Sequence, residues 1–309
     1  MLIRKSTEAD IPAIVALLKK SLGETSSPKT VDYWVWKHIN NPFGESMVLV
    51  SDNNGQLIGV RAMMRWCMQE GVDAQYCLRA VDTITHPDYQ GRGIFSILTQ
   101  KIVARAHDEG IVFIFNTPNS KSLPGYLKLG WISLGKMTIG ISLISSFFRS
   151  VSSSQHALHD FSCLDDLCKR WNALQMTANH LFTPKSPAYL KWRYIDNPVI
   201  KYFVYSSPTI FLAMYTRKRK GITELRVAEL ICMGNMPVDR KKIKSLVRHW
   251  SIEKKANLIS FAPQFKSWMP GFTMNLPFGP ILTTKKINVV LPSFKYVKMV
   301  YQLGDMELF

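Results

Sequence analysis

The residues best suited to chemistry in this 309-residue chain lie in one short turn, Gln90-Gly91-Arg92-Gly93. A strand is predicted before the turn and a helix after it, so the two glycines let backbone N–H groups point outward with no Cβ in the way. The positive end of the helix dipole lies at the same place. Such a turn binds anions, and a pyrophosphate is the simplest ligand to expect there. A turn that only connects a strand to a helix is the alternative interpretation.

The elements around the turn predict a βαβ unit. A strand is expected from Arg79 to Thr85, a helix from Ile94 to Asp108 and a second strand from Ile111 to Asn116. A loop and a short helix then end at Gly130-Trp131. Short strands joined by turns precede this unit and predict an antiparallel meander. The sequence therefore predicts an α/β (α+β) fold with a mixed, mostly antiparallel sheet flanked by helices.

Two motifs frame the predicted site. The first reads Gln90-Gly91-Arg92-Gly93-Ile94-Phe95, and the second is Asn119, Ser122, Tyr126, Gly130 and Trp131 at their spacing in the chain. The first resembles the phosphate loop Gln/Arg-x-x-Gly-x-Gly/Ala of the GNAT superfamily of acyl-CoA-dependent N-acetyltransferases. The second is similar to that family's Asn-x-x-Ala-x-x-x-Tyr-x-x-x-Gly-Phe signature. Phe95 departs from the pattern, because glycine or alanine is usual there. The resemblance covers about residues 1 to 145.

The resemblance implies transfer of an acetyl group from acetyl-CoA, or of another acyl group from its CoA thioester, to an amine without a metal. The cofactor-binding residues that it implies are Gln90, Gly91, Arg92, Gly93, Ile94 and Phe95 for the pyrophosphate, Thr83, Ile84 and Thr85 for the pantetheine arm, and Asn119 for the cofactor or its loop. Tyr126 would be the acid that protonates the leaving thiolate. A tyrosine that only packs on the sheet is the alternative for Tyr126.

The general base is open to several candidates. Asp82 lies just before the turn on the same strand, so it is placed to take a proton from the amine directly or through water. A hydrogen bond at the end of the strand is its alternative role. Weaker candidates are Glu70, His86 and His107. The C-terminal carboxylate of Phe309 is another, since some tandem relatives of the family use theirs.

The second half of the chain carries echoes of the first. The ten residues Tyr33 to Pro42 align without gaps to Tyr189 to Pro198, and Leu78-Arg79-Ala80-Val81 finds an echo in Leu225-Arg226-Val227-Ala228. These echoes predict a duplicated fold: a catalytic GNAT domain at residues 1–147, a serine-rich linker at 148–158, and a degenerate GNAT-like domain at 159–309. The second copy has no glycine turn. Phe272 is expected in the place of Tyr126, without its hydroxyl.

The net charge and the composition indicate which partners and which location to expect. The net charge is +17, of which residues 1–145 carry +3 and residues 146–309 carry +14, so an acidic acceptor is one expectation. The basic clusters are Arg217-Lys218-Arg219-Lys220 and Arg240-Lys241-Lys242, and a solvated basic surface is the alternative. Neither an apolar run of membrane length nor a signal peptide is found, which predicts a cytoplasmic protein. The five cysteines form no metal-binding or disulfide pattern.

Two other functions remain open at this point. One is a binding module that holds acyl-CoA or nucleic acid without catalysis, although no RNA or DNA motif supports a nucleic acid partner. The other is an aminoacyl-tRNA-dependent peptide-bridge transferase, a class that also pairs two GNAT-like folds. Its members do not generally need the CoA loop, and this chain keeps it. The identity of the acceptor amine, the length of the acyl chain and the oligomeric state are left open by the sequence.

Overall fold

The computed structural model describes residues 1–23, 28–143, 161–178, 180–233, 237–288 and 298–306. The predicted linker at 148–158 and the Phe309 carboxylate lie outside these ranges. Within them, no helix combines the length and apolar character that crossing a membrane requires.

The first part of the chain folds into the predicted meander and βαβ unit. Its strands are β1 (Leu2–Lys5), β2 (Met47–Asn53), β3 (Gln56–Glu70), β4 (Asp73–Thr85), β5 (Phe113–Asn116), β6 (Ile132–Lys136) and β7 (Ile139–Leu143). Its helices are α1 (Ile11–Leu22), α2 (Val31–His38), α3 (Ile94–Asp108) and α4 (Leu123–Lys128). The helix α3 has the bounds that the sequence predicts.

The second part contains a similar series. Its strands are β8 (His180–Phe182), β9 (Phe203–Ser206), β10 (Ile210–Arg219), β11 (Ile222–Cys232), β12 (Leu258–Phe261), β13 (Phe272–Leu276), β14 (Ile281–Lys286) and β15 (Lys298–Met299). Its helices are α5 (Leu164–Met176), α6 (Pro187–Tyr194), α7 (Pro237–Glu253) and α8 (Leu303–Met306).

The strands form two mixed sheets. The first has the order β1-β2-β3-β4-β5-β14-β6, with β8 on β3 and β15 on β8, and the second has the order β13-β7-β12-β11-β10-β9. Neighbours are antiparallel except for β4–β5, β11–β12 and β15–β8. A helix follows β4 and another follows β11, as a parallel crossover requires. The predicted fold class, two mostly antiparallel mixed sheets flanked by helices, is confirmed.

The two sheets exchange one strand each. The strand β14 comes from the second part of the chain but pairs with β5 and β6 in the first sheet. Conversely, β7 comes from the first part but lies between β12 and β13 in the second sheet. With this exchange, β2-β3-β4-β5-β14-β6 and β9-β10-β11-β12-β7-β13 have the same order and directions. The division into a catalytic and a degenerate domain stays a prediction, and the sheets interlock across it.

The helix α3 packs closely on the first sheet. It buries Ile94, Leu98 and Ile102, which recur every four residues along one face. A Cβ on Gly59 of β3 would lie 2.6 Å from a methyl carbon of Ile94, so a glycine is required at this crossing. This contact fixes the start of α3, and with it the turn before the helix, against the sheet.

The helices α2 and α6 meet between the two halves. Each begins at a hydroxyl residue, Thr30 or Ser186, whose side chain accepts a hydrogen bond from the backbone three residues later. The indole Nε1 of Trp36 donates to the carbonyl of Trp192 at 2.8 Å, and the indole of Trp192 donates back to the carbonyl of Trp36 at 2.7 Å. Their rings stack with centroids 4.9 Å apart. These reciprocal contacts make the two helices equivalent partners in the interface.

One predicted correspondence between the halves is wrong. Tyr126 is buried in α4, whereas Phe272 begins the strand β13 and is 68% exposed. The position of β13 in its sheet corresponds to that of β6, which follows Tyr126 in the chain. Phe272 therefore does not take the place of Tyr126. The turn before α7 includes residues 234–236, which lie outside the described ranges.

Candidate active site

A large cavity opens where two parallel strands part. The ladder between β4 and β5 joins Cys77–Arg79 to Phe113–Phe115, while β4 continues to Thr85 without that neighbour. The cavity in this gap has a volume of about 1110 Å³. It is lined by Thr83, Ile84, Thr85, Gln90, Gly91, Gly93, Ile94, Phe95, Asn119 and Tyr126. The structure thus brings all the predicted cofactor and acid residues except Arg92 to one place.

The glycine turn presents its backbone to this cavity. Gly91 and Gly93 have φ angles of 77° and 75°, which L side chains rarely adopt. Beyond their chain neighbours, no atom lies within 4 Å of the place that a Cβ would take on either residue. Gly93 caps α3, whose first N–H groups have no acceptor within the helix. Open space, backbone donors and the helix dipole therefore coincide here, as an anion site requires.

The side chain of Arg92 is not part of the cavity lining. Its Nη2 donates to the carbonyl of Asp88 at 3.3 Å, and its guanidinium lies 4.8 Å from the centre of the Tyr89 ring. These contacts hold the arginine against its own loop. The backbone of the turn, and not this side chain, faces the space where a pyrophosphate would bind.

The position of Phe95 explains its departure from the family pattern. Its ring packs edge-on against Tyr126, with centroids 5.6 Å apart. A Cβ on Gly125 would lie 3.1 Å from this ring, so the glycine makes room for it. The guanidinium carbon of Arg61 lies 5.4 Å from the same ring. The phenylalanine therefore supports the tyrosine from one side.

Arg61 is a site residue that sequence reasoning missed. It is fully buried on β3, and its Nη1 donates to the Tyr126 hydroxyl at 2.7 Å and to Thr83 Oγ1. The guanidinium also lies 5.1 Å from the centre of the Tyr126 ring. Because the phenolic oxygen accepts from Arg61, its own proton is available for donation. Among the described residues, Nε and Nη2 of Arg61 have no hydrogen-bond partner.

The signal for Arg61 was a charged residue within an otherwise apolar strand, Leu57-Ile58-Gly59-Val60-Arg61-Ala62-Met63-Met64. A buried charge needs compensation. Neighbours from β4 and α4 supply it here. Sequence spacing could not identify them, since Thr83 and Tyr126 lie 22 and 65 residues farther along the chain.

Asp82 has a different environment from the one expected of a base. It sits at a bulge of β4 with φ 33°, where its carboxylate accepts from Lys37 Nζ at 2.7 Å and contacts His38 Nε2 at 2.9 Å. Burial raises the pKa of a carboxyl group, but here the Lys37 charge and the His38 hydrogen bond outweigh it and hold the pKa of Asp82 far below its usual range. Burial also lowers the pKa of His38. Such a carboxylate stays ionised and accepts a proton poorly.

The remaining candidates have other positions. Asn119 Oδ1 accepts from the backbone of Lys121 and Ser122 at 3.0 and 2.9 Å, so this residue shapes the loop before α4. His86 contacts Lys20 Nζ at 2.8 Å, away from the cavity lining, which also does not include Glu70 or His107.

The second half of the chain also contributes residues to the cavity lining. Tyr215, Arg217 and Arg219 occur at alternate positions of β10 and therefore share one face of the strand, and all three line the cavity. Arg226 of β11 pairs across from Tyr215 and lines it as well. The basic cluster on α7, Arg240-Lys241-Lys242, does not.

The C-terminal segment lies between the halves. Buried Arg79 donates to the carbonyls of Asp305 and Met306, and Met306 lines the cavity. The side-chain amide of Gln302 donates to the carbonyl of Leu230 at 2.9 Å and accepts from its N–H at 3.3 Å. This contact covers β11 beyond Arg226, where its ladder to β12 has ended.

A sealed ionic cluster holds that segment. Lys185 Nζ donates to Asp305 Oδ1 at 2.7 Å and to Glu229 Oε2 at 3.0 Å. Tyr189 donates to the same Asp305 oxygen and Tyr194 to Glu229, each at 2.7 Å. Glu229 is shielded from water and shares the charge of Lys185 with Asp305. Burial therefore outweighs that charge and raises the pKa of Glu229 to about 7.

No three or more His, Cys, Asp or Glu side chains of the described ranges are grouped to hold a metal ion.

One family model matches part of the chain, and several solved structures share its fold. Residues 2–133 match the family model described as an acetyltransferase (GNAT) domain. No curated protein sequence matches the chain.

Among solved structures, a GCN5-related N-acetyltransferase from Anabaena variabilis superposes with a TM-score of 0.65 at 12% identity, over 93% of this chain and 73% of the other. One from Kribbella flavida gives 0.63 at 14% identity, over 92% and 71%. An N-myristoyltransferase from Saccharomyces cerevisiae with bound myristoyl-CoA gives 0.59 at 9% identity, over 94% and 80%. The described chain therefore has the fold of these transferase structures, and residues 2–133 match a GNAT acetyltransferase domain.

Proposed function

We propose that the protein is an N-acyltransferase that moves an acyl group, most simply acetyl, from acyl-CoA to an amine. The observation that carries the proposal is one cavity that collects an open glycine turn at the start of α3, the end of β4 that extends beyond its ladder to β5, and the Tyr126 hydroxyl. These are the parts that hold a pyrophosphate, extend along a pantetheine arm and deliver a proton.

In the proposed reaction, the amine nitrogen attacks the thioester carbonyl, a C–N bond forms and the C–S bond breaks. The leaving sulfur takes the proton of the Tyr126 hydroxyl, and the guanidinium of Arg61 stabilises the charge left on the phenolic oxygen. The nitrogen gives its proton to water in the open cavity. We assign Asp82 to the positioning of Lys37 and His38, because its low pKa suits an ion pair and not proton transfer.

The second half, proposed as a degenerate copy of the first, supplies the wall that faces the acceptor. Its contribution is the face of β10 that carries Tyr215 and Arg217. We propose acetyl-CoA as the first donor to test and longer acyl-CoA thioesters as the second, since an N-myristoyltransferase shares the fold.

The test is CoA binding to a Gly93→Val variant, measured by titration calorimetry. A branched side chain would occupy the open space before α3 and strain its positive φ, so CoA affinity should fall by a factor of about 100 or more. Gly55→Val is the matched control, because Gly55 also has a positive φ of 86° and open space but lies in the β2–β3 turn.

Unchanged CoA affinity in folded Gly93→Val would refute the assignment of the turn. If wild-type protein binds acetyl-CoA but releases no free thiol with any amine of a broad panel, the chain is a binding module and not an enzyme.

A further inference from the structure

We infer that the amine acceptor carries an anionic group, a carboxylate or a phosphate, and that Arg217 and Arg219 of the second sheet bind it. This inference rests on the proposed function, because it names the chemistry of the acceptor for the same cavity.

The strand β10 separates one basic cluster into two faces. In Arg217-Lys218-Arg219-Lys220, residues 217 and 219 line the cavity together with Tyr215, whereas Lys218 and Lys220 do not. Arg217, Lys218 and Arg219 end β10 and alternate between its two faces, whereas Lys220 follows in the turn to β11. Arginine has a planar fork of donors that matches a carboxylate or a phosphate, so the residue type on the inner face suits binding of an oxyanion.

Nearby groups hold the Arg217 guanidinium in place but do not cancel the positive charge of the cavity lining. Glu224 is the cross-strand neighbour of Arg217, whose Nε donates to it at 2.7 Å. The same carboxylate pairs with Arg226 Nη2 at 2.7 Å, and Ser260 donates to it. One carboxylate thus serves two arginines. Burial acts in the other direction, but the charges of Arg226 and Arg217 hold the pKa of Glu224 below its usual value.

The charges that line the cavity are unbalanced. The described cations in the lining are Lys29, Lys37, Lys121, Arg217, Arg219 and Arg226. The single carboxylate that the same described lining contains is Asp82, and it is already paired with Lys37. Even with Glu224 counted, the described lining contains more cations than carboxylates. A partly enclosed site of one sign attracts ligands of the opposite sign.

The two arginines and the glycine turn line the same cavity from different halves of the chain. The turn and α3 belong to the first sheet, whereas β10 belongs to the second, so a guest held by Arg217 approaches the thioester from the side of the second half. Tyr215 adds an aromatic side chain beside them; its pKa is raised to about 12 by burial, so it stays neutral. The two arginines would fix the anionic end of the acceptor while its amine reaches the thioester.

The experiment measures binding of matched amines to the CoA complex, which carries no acyl group and cannot turn over. The probes are 4-(aminomethyl)benzoate against its carboxamide, and phosphoethanolamine against ethanolamine, observed by ligand NMR. We expect the anionic member of at least one pair to bind at least tenfold more tightly than its neutral partner. The two pairs distinguish a carboxylate from a phosphate.

The variant Arg217→Gln/Arg219→Gln should abolish this preference, and Lys218→Gln/Lys220→Gln is the control, since it removes the same charge from two neighbouring residues that do not line the cavity. CoA affinity, measured by calorimetry, should stay within about threefold of wild type in both. Equal binding of charged and neutral probes, no binding of either anionic probe, or a preference that survives in the arginine variant would each overturn the inference.

A loss of CoA affinity in the arginine variant alone would also overturn it, because the arginines would then belong to the cofactor site. If wild-type protein does not bind CoA at all, the proposed function fails instead. The two failures are therefore distinguishable.

Discussion

The two sheets share an order of six strands, but within the described residues the place where the parallel strands part is open in the first sheet and covered in the second. In the first, β4 beyond Arg79 lines the cavity, and Asp82 is 16% exposed. In the second, β11 beyond Arg226 is covered by Gln302 and α8. The acid on that stretch, Glu229, is completely buried. The same arrangement of strands therefore leaves a cavity in the first sheet and encloses another segment of the same chain in the second.

The largest effect is expected from removing the proposed proton donor, Tyr126, which lines the cavity. Tyr126→Phe should lower turnover by a factor of about 10²–10⁴ and leave CoA affinity unchanged, because the hydroxyl acts as charge develops on sulfur. Steady-state kinetics and calorimetry measure the two quantities. Tyr194→Phe, in the buried ionic cluster around Lys185, is the comparison. Its turnover per folded molecule should equal that of wild type. Full turnover in Tyr126→Phe, with chemistry rate-limiting, would remove the tyrosine from the mechanism.

Breaking the sealed cluster should affect stability. Lys185→Met leaves Glu229 and Asp305 without their cation, so the free energy of unfolding should fall by about 3–5 kcal/mol. Lys37→Met should cost only about 1–3 kcal/mol, since Asp82 keeps His38 and some access to water. Urea denaturation compares the two. Equal losses of unfolding free energy would show that Asp82 and the cluster of Glu229 and Asp305 do not differ in access to water.

The sealed carboxyl group should also give stability a dependence on pH. The pKa of Glu229 is raised from 4.5 to about 7, so the folded state holds this proton more tightly than the unfolded chain. Its contribution is fully present below pH 4.5 and is lost as the pH rises through 7, up to about 3 kcal/mol.

Unfolding measured between pH 5 and pH 8 should therefore show this loss in wild type. In Glu229→Gln, which cannot ionise, the loss should be absent. A slope that is identical in the two proteins would mean that Glu229 is already ionised at pH 5.

The smallest effect tests the equivalence of α2 and α6. Trp36→Phe and Trp192→Phe each remove one of two reciprocal indole hydrogen bonds and leave one buried carbonyl without its donor. Each should cost about 1–2 kcal/mol, and the two costs should agree. Chemical denaturation gives both values. Clearly unequal losses would show that the reciprocal contacts are alike in geometry only.

The parts of the fold that depend on local interactions could be predicted from the sequence. The bounds of α3 follow from Gly93 and the apolar period after it, and the caps Thr30 and Ser186 mark the starts of α2 and α6. The predicted turn and Tyr126 lie in one cavity, because both belong to motifs that are nearly contiguous in the chain.

The parts that depend on distant contacts could not be predicted. The exchange of β7 and β14 depends on ladder partners more than 100 residues apart, for which short apolar strands carry no specific signal. The contacts of Asp82 with Lys37 and His38, and that of Arg61 with Tyr126, join residues far apart in the chain, so sequence spacing does not identify them. The position of Arg217 in the cavity lining depends on how the second sheet packs against the first, which local sequence does not determine.

The exchanged strands also order the events of synthesis. Since β5 and β6 are joined through β14, the first sheet has a gap until residues 281–286 have left the ribosome. Throughout that time the unpaired edges of β5 and β6 are exposed to other nascent chains, which makes chaperone capture or misassembly more probable. Ribosome-bound chains halted before residue 281 should be far more sensitive to protease than those halted after the C-terminus has emerged. Equal protection of both would show that the first sheet closes without its borrowed strand.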